Sequence, residues 1–132
     1  MLSRGLLAVL GLIHLATGVF MIGDPEGWYW ATPGVSRTGP MNHHFIVDIG
    51  LAFLASGAGM AMSLRTGRTA AALALAGAVW PALHALFHIS EWLASGFPRD
   101  PLVALVETLG VVFVSFLGLA LAFLRARKEG AI

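Results

Sequence analysis

A chain of 132 residues that is 58% hydrophobic and 11% charged, with a mean hydropathy of +0.82, lies outside the range of soluble globular domains and reads as a single-domain integral membrane protein. The formal charge of +1, with basic residues at the ends of apolar runs and not in a patch, argues against a nucleic-acid partner. The lack of cysteine excludes disulfides, thiolate chemistry and zinc-finger sites.

Four apolar runs are long enough to cross roughly 30 Å of hydrocarbon at about 1.5 Å per residue. They cover residues 2–22, 43–63, 69–93 and 101–124. Arg4 near the start of the first run, ahead of an apolar stretch, imitates a signal peptide, but the run lacks a small-x-small cleavage site and carries His14 in its middle, so it is expected to remain as a span. Residues 23–42 form a Gly/Pro/Trp-rich connection. Asn42 is placed to cap the second run. Residues 64–68 make a short basic turn with Gly67, and 94–100 a short connection. Asp100-Pro101 has the form of a helix start, a capping carboxylate followed by proline in the first turn. Pro81 cannot donate to the carbonyl of Gly77 and is expected to kink the third helix one turn before His84. The predicted architecture is an all-α, integral membrane four-helix bundle.

Arg4, Arg65, Arg68, Arg125, Arg127 and Lys128 fall on one side of such a bundle, and Arg37 and Arg99 on the other. The basic excess makes both termini cytoplasmic and leaves Trp28, Tyr29 and Trp30 outside, at headgroup level. Trp92 fits the same belt.

Ionisable residues interrupt these runs. A charge in the hydrocarbon core is costly unless it finds a partner, so it marks a functional site by default. Measured from the outer ends, His14 lies about 12 Å deep, Asp48 and Glu107 about 9 Å and His84 about 13 Å, with His88, His44 and Glu91 shallower. All seven therefore belong to the outer leaflet. At about 100° per residue, His84, His88 and Glu91 share a stripe of roughly 60°, and His44 and Asp48 lie about 40° apart. His43 points away and is assigned to the interface. Small residues accompany these faces: Gly11 and Gly18 near His14, Ala55 and Gly59 below Asp48, Gly110 and Gly118 around Glu107.

Two histidines at i and i+4 can present two imidazole nitrogens to one ion, and carboxylates from neighbouring helices complete a nitrogen and oxygen shell. His14, Asp48, His84, His88 and Glu107 are the expected metal ligands, with His44 and Glu91 as outer ligands or their hydrogen-bond partners. The donor set suits zinc, iron or manganese, with copper(II) as a further candidate. Such a centre would activate water or dioxygen for a metal-dependent oxidoreductase or hydrolase acting on a small or lipid-soluble substrate from the periplasmic side. Three other readings use the same residues: haem b on two of His14, His44, His84 and His88, a proton or metal-ion transfer element, and a histidine-carboxylate clasp between helices. The catalytic residues, if any, are not specified by the pattern.

The four short spans, the second-span segment Asp48-Ile-Gly-Leu-Ala-Phe-Leu-Ala-Ser-Gly57, the basic turn and the Gly96-Phe97-Pro98 element together resemble the DoxX-like small bacterial inner-membrane proteins. The resemblance covers most of the chain. It implies a bacterial inner-membrane location and, because some DoxX-like proteins are associated with quinone-linked oxidoreductases, a redox or quinone partner. A haem- or quinone-binding subunit of a larger membrane redox complex, or a homo-oligomer, are the assemblies open to such a chain. It assigns no residue of His84-x-x-x-His88-x-x-Glu91.

Overall fold

The computed structural model describes residues 2–132, with side chains from Ser3 onward. Among the described residues there is no strand. The elements are α1 (Leu2–Gly23), α2 (Pro25–Ala31), α3 (His43–Ala61), α4 (Arg68–Ser95), α5 (Pro101–Leu105) and α6 (Val114–Lys128). A 3-10 turn, Met62–Leu64, prolongs α3, and a π-helical stretch, Val106–Phe113, joins α5 to α6. Four helical stretches are long and apolar enough to cross a membrane: Ser3–Gly23, His43–Leu64, Arg68–Ser95 and Pro101–Lys128.

Local signals set the helix starts. The Asn42 side chain accepts from Phe45 N at 3.0 Å and opens α3. Asp100 Oδ1 accepts from Leu102 N at 2.9 Å and Val103 N at 3.2 Å and opens α5, with Pro101 in its first turn. The same grammar opens α2, which the sequence reading left as an irregular connection: Asp24 accepts from Gly27 N at 2.9 Å and Pro25 follows.

Glycines set the packing. A Cβ on Gly57 would stand 2.7 Å from the Gly11 carbonyl, and one on Gly18 2.7 Å from the Gly50 carbonyl. α1 and α3 are therefore antiparallel with backbones in direct contact, the close approach that holds helices together where lipid removes the hydrophobic drive. α3 meets α4 the same way, since a Cβ on Gly77 would lie 2.6 Å from the Ser56 carbonyl. Leu7, Leu10, Met60, Ala78 and Ala122 form one buried cluster, and Met21, Tyr29 and Ile46 another beneath the connection that includes α2. Many large apolar side chains, Leu12, Leu51, Leu83 and Phe113 among them, are exposed, as lipid-facing positions are.

The start of α1 and the end of α6 lie at one end. Arg4 donates through Nε to the Ser63 carbonyl at 3.0 Å and through Nη2 to Leu64 at 2.7 Å, and Arg125 Nη2 donates to the Arg65 carbonyl at 2.6 Å. At the opposite end Arg37 Nη2 donates to Asp100 Oδ2 at 2.8 Å and ties the two longer connections together. Tyr29 adds a hydrogen bond from its hydroxyl to the Gly39 carbonyl at 2.7 Å.

Candidate functional site

The third span is built to carry a proline close to its polar residues. α4 runs unbroken through Pro81, although Pro81 leaves the Gly77 carbonyl without its intrahelical donor. The hydroxyl of Ser56 on α3 supplies the missing bond at 2.6 Å. Beyond this point His84, His88 and Trp92 follow at intervals of four residues and so rise along one side of α4.

The fourth span meets that side with a carboxylate. Glu107 lies in the π-helical stretch, whose wider i→i+5 turns shift the helix face beyond them and recur at functional sites. Its Oε2 accepts from Trp92 Nε1 at 2.7 Å and lies 3.5 Å from His88 Nδ1. The His88 and Glu107 side chains are 22% and 20% exposed. The pair is thus shielded but reachable from outside the protein. The indole N–H holds the carboxylate in place beside the imidazole.

Aromatic rings extend the site inward. The His84 ring packs edge to face on His88 with centroids 4.8 Å apart, and its other face stacks on Trp80 at 5.3 Å and 6°. Trp80 meets Phe53 of α3 at 4.9 Å, and Phe53 meets His14 of α1 at 5.4 Å. His14 is buried, and its Nδ1 donates to the Leu10 carbonyl at 2.8 Å, which leaves Nε2 as the acceptor. At the outer end Trp92 packs on Phe97 at 5.2 Å.

The seven residues expected as metal ligands do not converge. His84, His88 and Glu107 come together, and His14 joins them only through the rings of Phe53 and Trp80. His44 and Asp48 pair with each other, Nε2 to Oδ2 at 3.2 Å, on an exposed surface where the side chains are 89% and 55% accessible. Glu91 is exposed and makes no hydrogen bond or ion pair among the described residues. Among the described residues no group of three or more His, Asp or Glu side chains is placed to hold a metal ion. The cause is the rotation of α3. Ile46 and Gly50 face inward, and His44 and Asp48 stand two residues either side of Ile46, about 160° around the helix from it. His43 is exposed too, although it stands only about 60° around the helix from Ile46; it is the first residue of α3.

Two residues of the site escaped the sequence reading. The sequence places Trp92 in the interfacial belt and does not single out Trp80. The four-residue spacing Trp80, His84, His88, Trp92 is the signal that groups them. Comparison with protein-family models, with curated proteins and with solved structures finds no match to this chain.

Proposed function

We propose that this protein is a multi-pass protein of the bacterial inner membrane, with both termini cytoplasmic, that binds a lipid-soluble head group of quinone type and exchanges a proton with it at His88 and Glu107. The contact that carries this reading is the 3.5 Å approach of His88 Nδ1 to Glu107 Oε2 across two spans, with Trp92 Nε1 on the same oxygen. An imidazole and a carboxylate side by side are groups that can pass a proton to a carbonyl or take one from a hydroxyl of a bound ring. Partial exposure of both side chains, beside the exposed Leu83 and Phe87, supports entry from the lipid. His84, stacked on Trp80, supplies a second polar ring at the same place. In a larger membrane redox complex the electrons would pass to a partner subunit, and this chain would handle the proton.

The test uses the tryptophans that flank the site. A short-chain benzoquinone added to the detergent-purified protein is expected to quench tryptophan fluorescence saturably. His88→Ala and Glu107→Gln are expected to weaken that binding about tenfold, as loss of a charge-assisted hydrogen bond would, with His43→Ala unchanged. Quenching that does not saturate, or that is equal in all variants, overturns the proposal.

A second reading has one transition metal ion recruit His84 and His88, whose four-residue spacing favours it, with Glu107 drawn in by side-chain rotation, because the three do not converge on one point as they stand. Stoichiometric zinc, iron, manganese or copper that is lost in His84→Ala and His88→Ala, with a melting temperature that falls on chelation, would select this reading over the first. A Soret band would instead assign haem b.

A further inference from the structure

The end of the molecule that gathers the termini carries an open cavity of about 650 Å³ between the start of α1, the turn before α4 and the end of α6. Arg4, Arg68, Arg125 and Lys128 line it together with Glu129, and Leu121 and Leu124 form its apolar wall. Four cations therefore face one carboxylate. The Glu129 carboxyl is held below its usual range, chiefly by the hydrogen bond from Arg125, so it remains the single negative charge there.

Arg125 makes this more than a basic surface. Its side chain is 4% exposed, Nε donates to Glu129 Oε1 at 2.9 Å, and Nη2 donates to the Arg65 carbonyl at 2.6 Å. The third nitrogen, Nη1, is buried and has no hydrogen-bond partner among the described residues. A buried guanidinium normally satisfies all its donors, so one with an unused donor leaves surplus positive charge behind the cavity wall, which favours an anion in the cavity.

We propose that this cavity binds the phosphate of an anionic phospholipid headgroup, with Arg4, Arg68 and Lys128 as its donors and the buried Arg125 guanidinium adding positive charge behind them. The cavity lies at the ends of the spans, which is headgroup depth for a chain that crosses the bilayer, and basic pockets at that level recognise anionic lipids. Leu121 and Leu124 offer the glycerol and upper acyl chain a surface that inorganic phosphate would not use.

The experiment compares three probes on the delipidated, detergent-purified full chain: dioleoyl phosphatidylglycerol, dioleoyl phosphatidylcholine and sodium phosphate. Bound lipid is counted by native mass spectrometry and stability is followed by melting temperature. Phosphatidylglycerol is expected to bind one per chain and to raise the melting temperature saturably, while phosphatidylcholine and millimolar phosphate leave it unchanged. Arg125→Gln also removes the bond to Arg65 and disturbs folding, so the double variant Arg68→Gln/Lys128→Gln carries the test. Both side chains are exposed, and their loss is expected to weaken phosphatidylglycerol binding at least about tenfold, since each basic group near an anionic surface contributes on the order of 1 kcal/mol. Equal binding of the two lipids, or unchanged affinity in the double variant, overturns the proposal. A full response to phosphate alone overturns the lipid assignment and makes the cavity a free-phosphate site.

Discussion

Ser56 shows how one hydroxyl can decide whether a proline is tolerated in a membrane helix. Interhelical hydrogen bonds in membranes average only about 0.6 kcal/mol, because the unfolded state in lipid finds other partners. The Gly77 carbonyl is a harder case, since Pro81 has removed its intrahelical donor and Ser56 Oγ at 2.6 Å replaces it. Ser56→Ala is therefore expected to destabilise the protein by about 1 kcal/mol or more, the cost of an orphaned buried acceptor. The same substitution should be milder in a Pro81→Ala background, where the alanine N–H returns to Gly77. Equilibrium unfolding in mixed detergent measures both. Equal losses in the two backgrounds would mean that the hydroxyl and the proline are unrelated.

At the level of elements, the start of the fourth span is the most charge-dependent joint. Asp100 caps α5 and also accepts from Arg37, and its carboxyl lies below its ordinary value, first because of Arg37 and then because of the Val103 and Leu102 N–H groups. A carboxyl depressed in the folded state contributes stability that is full above its unfolded value, about 3.9, and is lost as pH falls through the lower folded value. Melting temperature is accordingly expected to drop on acidification below about pH 4, and to drop less steeply in Asp100→Asn, which keeps a capping oxygen but cannot titrate. Much of this scale was legible in the residues. Run length and hydropathy placed the four spans, and Asn42 and Asp100-Pro101 marked two starts. Asp24-Pro25 carries the same mark for α2, which is only seven residues long. The π-helical stretch around Glu107 had no such mark, since i→i+5 bonding depends on packing and not on any residue type. The misplacement of His44 and Asp48 has a different origin. Spacing shows which residues share a face but not which face is inside, and in lipid both faces of α3 are apolar. Gly50 and Gly57, seven residues apart and pressed on α1, were the residues that settled the question.

For the whole molecule, six basic residues near one end against two at the other fix the expected orientation. A reporter joined after Ile132 should be cytoplasmic, and a tag near Val35, in the 3-10 turn Val35–Arg37, should be labelled from outside intact cells. Reversed labelling would put the His88 and Glu107 pair in the inner leaflet and remove a periplasmic route to it. The termini-bearing end also has a consequence for synthesis. Arg4 bonds to carbonyls 59 and 60 residues away, Arg125 to one 60 residues away, and Glu129 to the Gly67 N–H, 62 residues away. A chain made from its N-terminus can close the first of these clasps once the turn after α3 has emerged, but it cannot close the others until α6 is nearly complete. From their own synthesis until α6 is made, Arg65 and Gly67 therefore keep open hydrogen-bonding groups, and only the arrival of Arg125 and Glu129 completes that end. The last helix is thus the latch of the assembly, and a nascent chain stalled before it would present the quality-control machinery with an unfinished edge at one defined place.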